Sequence, residues 1–229
     1  MFKILSTNRF ARYGKFKTKF FKFKTPILWF GTLPNSVPRV WKCLRVQGIM
    51  TNAYYLIKHN IGRQRIHNFF QTKIPIAIDS GGFLFLNNTH SSLHTITPKQ
   101  ILKIYEDLKP NIGVVLDTPL HPSDMSYVRR KKQLKTLKNT RIMVELHNSK
   151  NPILMPVIHG FSRKEIEWFI KELQKIDEFE IYGIGSFVPF VKSNGEGGLF
   201  NVVRIIRVVR EILPDAFIHI FGIGSTNTM

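Results

Sequence analysis

The stretch Ile76-Ala77-Ile78-Asp79-Ser80-Gly81-Gly82-Phe83 runs three apolar residues straight into an acid, a hydroxyl and two glycines. The apolar run reads as a buried strand, so Asp79 would sit at a strand end beside main chain that carries no side chains. A carboxylate held there can meet a ligand. Gly81 and Gly82 let a flat molecule approach the backbone and tolerate positive φ where the strand turns. The plainer alternative is a strand ending in a turn, with Asp79 capping backbone amides. Other apolar runs also end in polar residues: Asn52, Asp117, His159, Ser186 and the turn Gly222-Ile223-Gly224-Ser225.

The elements that must position these residues follow from periodicity. Seven short β-branched or apolar runs, at residues 27–30, 49–54, 76–79, 112–117, 153–159, 180–185 and 217–222, read as strands, most of them followed by a helical pattern. Thr97-Pro98 marks a helix start ahead of Ile101, Ile104, Tyr105 and Leu108 on one stripe. Ser162 and Glu165 form a capping box ahead of Ile166, Phe169, Ile170 and Leu173. Residues 199–213 are helical, apolar at Val202, Val203, Ile206, Val209 and Leu213, and closed by Pro214; residues 123–147 hold one long or two short helices. Strands apolar through most of their length and alternating with helices predict a parallel sheet covered on its outer side.

Polar residues collected at the strand ends favour a (β/α)8 barrel over an open doubly wound sheet. The expected fold is therefore α/β, a TIM-type barrel of about seven β/α units at residues 26–229, incomplete because Met229 follows Gly224 too closely for an eighth strand. Open parallel edges would remain, to be covered by a partner, a dimer contact or the N-terminal segment. Residues 1–25 alternate lysine with phenylalanine or threonine, which predicts a basic and aromatic β-hairpin with its rings over the core. A basic arm for nucleic acid is the alternative for this segment.

The chain of 229 residues carries 34 Lys and Arg against 15 Asp and Glu, a formal charge of +19, and this favours a polyanion, nucleic acid before membrane. The run Arg129-Arg130-Lys131-Lys132 is the densest candidate for nucleic-acid contact, with a solvated helix face as the alternative. No apolar run approaches the ~20 residues of a membrane span. Cys43 is the single cysteine, which excludes a disulfide framework and a cysteine-based zinc site. With no signal peptide apparent, the expected setting is cytoplasmic. Neither a metal nor a cofactor is expected.

From Thr25 onward the ordered pieces Thr25-Pro26, Asn52-Ala53-Tyr54-Tyr55-Leu56, Asp79-Ser80-Gly81-Gly82-Phe83, Thr97-Pro98, Asp117-Thr118-Pro119, His159-Gly160, Gly183-Ile184-Gly185-Ser186 and Gly222-Ile223-Gly224-Ser225 resemble the tRNA-guanine transglycosylase superfamily. The resemblance implies exchange of guanine in tRNA, or in DNA for some relatives, for a 7-deazaguanine base. It implies Asp79 as the catalytic proton shuttle and Asp117 as acceptor for the donor edge of the base. It implies contacts from Ser80, Gly81, Gly82, His159, Gly160, Gly185 and Ser186, with ring packing from Phe83 or Tyr54 as a further option.

Three departures qualify what the resemblance implies. His159 stands where the family usually has glutamine, and Ser186 where many members have glycine. The family's covalent nucleophile, an aspartate after the Gly-x-Gly turn, and its zinc motif have no counterpart here, and Asp215, the last acid, is poorly placed to substitute. The expectation is a truncated or partner-dependent enzyme, with a lean toward the DNA-acting branch. The alternatives are a non-catalytic nucleic-acid-binding subunit, and a barrel enzyme on a small phosphorylated metabolite held at Gly222–Ser225.

Overall fold

The computed structural model describes residues 2–8, 11–18, 21–82, 96–149, 151–192 and 198–223. The N-terminal segment forms the expected antiparallel hairpin, extended by a third strand: β1 (Phe2–Asn8), β2 (Ala11–Lys17) and β3 (Lys22–Thr25) pair in that order. The period of two holds within it, burying Phe16 and Phe23 and exposing the lysines between them.

A parallel sheet follows, β4 (Trp29–Gly31), β5 (Gly48–Asn52), β6 (Ile76–Asp79), β7 (Ile112–Val114) and β8 (Ile153–Met155), hydrogen-bonded in chain order. Pro156 has no N–H and interrupts the next strand, so β9 (Val157–Ile158) begins a second parallel sheet with β10 (Ile181–Ile184) and β11 (Phe217–Ile220). The Pro156 carbonyl still accepts from Gly183 N at 2.8 Å, which carries the wall across the break. Seven parallel strand positions thus curve round one interior, and among the described residues β4 pairs only with β5 and β11 only with β10. Between those two edges lies an apolar slot of about 680 Å³, lined by Pro26, Leu28, Trp29, Met50, Phe217 and His219 among others.

Helices clothe the outside: α1 (Ala53–Lys58), α2 (Ile66–Phe70), α3 (Pro98–Leu108), α4 (Ser126–Leu146), α5 (Arg163–Gln174), α6 (Val188–Lys192) and α7 (Gly198–Ile212). Both predicted starts hold as full capping boxes, Thr97 with Gln100 and Ser162 with Glu165. Two sequence expectations shift and one open alternative is decided. Residues 53 and 54 are helical because Asn52 Oδ1 accepts from Tyr54 N and caps α1. Val203 is exposed, and Ile205 takes the buried position on α7. Residues 123–147 hold one helix of 21 residues.

The interior is a cluster of Trp29, Ala77, Ile112, Val114, Met155, Val157, Ile181 and Phe217, entered from the N-terminal sheet by Phe16 and Phe23. Phe16 stacks on Phe217 with ring centroids 4.7 Å apart, and Phe23 meets Trp29 edge-on at 5.8 Å. The N-terminal sheet therefore closes the bottom of the barrel, where the strands begin.

Candidate active site

Alternation along the strands sends Ala77 and Asp79 to the same side, and likewise Met155, Val157 and His159. The lower members fill the interior, so the upper ones point into the open mouth. There a cavity of about 490 Å³ is lined by Asn52, Asp79, Gly82, Asp117, Pro119, Leu120, His121, Lys132, Gly185, Ser186 and Phe221, among others. Asn52 and Asp79 are the last residues of β5 and β6, Lys132 is on α4, and the others lie in the segments that follow strands, so the cavity sits at the C-terminal end of the barrel, where barrel chemistry is sited.

Asp79 ends β6, and its Oδ2 accepts from Asn52 Nδ2 at 2.6 Å, a bond between adjacent strands paired at those two residues. Burial pushes the Asp79 carboxyl up to about 7, and the neighbouring charge of Asp117 adds to the shift; hydrogen bonds from Gly81, Asn52 and Ser80 oppose it. A carboxyl of that kind is poised to give and take a proton near neutrality.

Asp117 follows β7, beside β6. His159 Nε2 lies 2.9 Å from its Oδ2, and Ser80 Oγ donates to its Oδ1 at 3.4 Å. The far side of the histidine is also engaged: Nδ1 is 2.8 Å from Ser186 Oγ, which accepts from Leu120 N at 2.8 Å. A carboxylate only accepts, so Nε2 carries a proton toward Asp117, and Nδ1 shares a hydrogen bond with the Ser186 hydroxyl. This relay locks the ring and aims the acid. Gln133 Nε2 donates to the His159 carbonyl at 2.7 Å and ties the strand end to α4.

Two glycines are required by close approach. A Cβ on Gly82 would meet Asp117 O at 2.5 Å and Oδ1 at 2.6 Å; one on Gly185 would meet the His159 ring at 2.8 Å. Ser186 holds φ +70°, a conformation uncommon for a residue with a side chain, and its hydroxyl bridging Leu120 and His159 offsets that strain.

The structure distributes the sequence candidates unevenly. Asp79, Gly82, Asp117, Gly185 and Ser186 line the cavity. His159 is fully buried with both ring nitrogens engaged, so it positions Asp117 and does not itself reach a ligand. Ser80 is likewise fully buried, with its hydroxyl turned to Asp117. Gly81 supplies the turn at φ +83°, and Gly160 gives room for Ile166 of α5. Tyr54 packs in the outer core against Tyr55. Phe83, Gly224 and Ser225 lie outside the described residues.

The basic run on α4 is largely committed elsewhere. Arg129 pairs with Glu165 at 2.8 Å, Arg130 lies 3.2 Å over the Trp168 ring, and Lys132 pairs with Asp124 at 2.7 Å while lining the cavity; Lys131 is exposed. Lys132, expected as a nucleic-acid contact, lines the rim, whereas the pairing of Asn52 with Asp79 and the rim positions of Leu120 and His121 were not anticipated, because loop residues carry no periodicity by which to find them. Asp215 is exposed ahead of β11, at the barrel end remote from the cavity. Among the described residues, no group of three His, Cys, Asp or Glu is placed to hold a metal ion, and no helix is long and apolar enough to cross a membrane.

Comparison with known proteins identifies the family. The family described as queuine tRNA-ribosyltransferase matches residues 7–229. Similar curated proteins include the tRNA-guanine(15) transglycosylases of Methanococcus aeolicus, 27% identical over 98% of this chain and 35% of its relative, and of Methanosphaera stadtmanae, 30% identical over 97% and 33%. The enzyme so named in Archaeoglobus fulgidus is 26% identical over 97% of this chain and 46% of its own length. The chain thus spans about a third to a half of the length of these relatives. With an open parallel barrel, two acids at its mouth and a family match covering nearly every residue, this chain belongs to the queuine tRNA-ribosyltransferase family.

Proposed function

We propose that the mouth cavity binds guanine or a 7-deazaguanine base, and that the chain provides the base-recognition part of a tRNA-guanine transglycosylase. The observation that supports this most is the pair of unlike acids on adjacent strands: Asp79, its carboxyl raised to about 7, and Asp117, held by His159 and Ser80. Asp117 accepts the two N–H groups of the amidine edge of the base through charge-assisted bonds. Asp79 exchanges the proton on the departing or arriving ring. Lys132 and His121 at the rim face the backbone of a nucleotide flipped into the cavity.

The reaction carried by this family's chemistry also needs an acid that attacks the sugar carbon as the glycosidic bond breaks, guanine leaving with the bonding pair and a proton from Asp79. Among the described residues, Asp79 and Asp117 are the acids lining the cavity. The slot between β4 and β11 is a parallel seat for one further strand, and a strand seated there reaches the mouth beside Asn52 and Phe221. The attacking group is supplied through that seat. The similar proteins are named for tRNA, and tRNA is the proposed polymer ahead of DNA.

The test is exchange of labelled guanine into tRNA and into duplex DNA, by this chain alone and with a strand-supplying polypeptide. Guanine binding without exchange for the isolated chain, and exchange into tRNA on addition of the second polypeptide, is the expected result. No guanine binding under any condition overturns the reading.

A further inference from the structure

The first 78 residues contain 15 Lys and Arg and no Asp or Glu. Five of these cations share one face of the N-terminal sheet. The register sets Lys3 opposite Lys15, Lys15 opposite Lys24, and Lys17 opposite Lys22, while Phe2, Phe16 and Phe23 align on the reverse face against the barrel. Directly opposed residues of antiparallel strands share a face, with strands about 4.8 Å apart and successive same-face rows roughly 6.8 Å apart. The Cα atoms of five lysines therefore stand within about 10 by 7 Å. All five lysines are exposed, and among the described residues Lys3, Lys15, Lys22 and Lys24 make no ion pair. Opposed like charges destabilise a sheet. Solubility alone needs no such alignment, since serine or threonine in any of these positions would serve.

We infer that this lysine ladder is a binding surface for the phosphate backbone of a polynucleotide, separate from the base cavity. The inference rests on the proposed reading only in taking a polynucleotide as the polyanion. Tyr13 lies on the same face, 38% exposed, with Lys24 Nζ 5.8 Å from its ring centroid, and offers a stacking surface beside the cations. Leu5, at the bulge of β1, is the exposed leucine beside these lysine pairs, and one such side chain is too little apolar surface to enter a lipid layer. The surface lies at the opposite end of the barrel from the cavity. Four residues of strand rise between Phe217 and Phe221 give about 13 Å, and a sheet packed beneath adds about 10 Å. One nucleotide cannot touch both places, so the ladder grips backbone remote from the base held at the mouth.

The experiment measures affinity for unfractionated tRNA and for a duplex of about 30 base pairs across a salt series, using the full chain and the Lys3→Gln, Lys15→Gln, Lys24→Gln triple variant. Loss of three phosphate contacts lowers the slope of log Kd against log salt by about 2 to 3. Guanine binding stays unchanged and the melting temperature stays equal or rises as repulsion is relieved. The corresponding Lys→Arg triple variant retains the slope. Lys15→Gln alone lowers it by about 0.7 to 0.9 and supplies the reading if the triple variant folds poorly. An unchanged slope in the Gln variants, a wild-type chain with no salt-dependent binding, or binding lost only for vesicles of phosphatidylserine and phosphatidylcholine overturns the inference. A lowered slope in a protein that binds no guanine leaves the ladder standing and removes the base cavity, whereas guanine binding with an unchanged slope does the reverse.

Discussion

Two carboxyl groups with different surroundings divide the work of the site. Asp79 is raised to about 7 first by burial and then by the charge of Asp117, whereas Asp117 is held in place by hydrogen bonds to Ser80 and the His159 relay. Because the folded Asp79 carboxyl titrates above its ordinary value of 3.8, its contribution to stability is fully present below about 3.8 and is lost as pH rises through about 7. Asp79→Asn is expected to flatten the stability profile between pH 4 and 7, and to abolish an inflection near pH 7 in guanine binding; denaturant titrations and calorimetry across that range check both. Ser186→Ala keeps the unusual backbone and removes the hydroxyl from Leu120 and His159, so a loss of about 1 to 3 kcal/mol is expected in denaturant unfolding. The acids were legible in the sequence because each ends an apolar run. The burial of His159 was not, since a strand-end histidine reads the same whether it faces a ligand or a neighbouring acid.

At the scale of elements, local chemistry predicted most boundaries. Thr97-Pro98 and Ser162 with Glu165 start helices where their types require it, and Pro156 breaks a strand that hydrophobicity alone would have run through. The strand at 49–54 was read too long because the apolar pattern continues from strand into helix across Asn52, whose cap is a hydrogen bond invisible to periodicity. The N-terminal alternation revealed the inward face but not the third strand, since the number of turns depends on pairing rather than pattern. Phe16 is fully buried and stacks on Phe217, so Phe16→Ala is expected to cost about 3 to 5 kcal/mol, measured by chemical denaturation.

For the whole molecule, the open wall and the charge are the two governing features. Strand count and the polar ring at the strand ends predicted the barrel, and among the described residues the structure shows seven parallel positions whose outermost strands, β4 and β11, pair on one side only. How those edges are covered is a property of long-range partners, which no local pattern encodes. His219 points into the same interior as Phe217, beside the slot, and burial lowers its titration to about 4. A depressed value gives stability present above about 6.5 and lost as pH falls toward 4, so acid lability in that window is expected, and reduced lability in His219→Gln, followed by thermal melts.

The central claim is that the mouth recognises a guanine-like base through Asp117. Calorimetric titration of guanine into the wild-type chain and into Asp117→Asn tests it most directly. Loss of a charge-assisted acceptor is expected to weaken binding by roughly 10- to 150-fold while the melting temperature remains close to that of the wild type. Equal affinity in the two proteins would contradict the account.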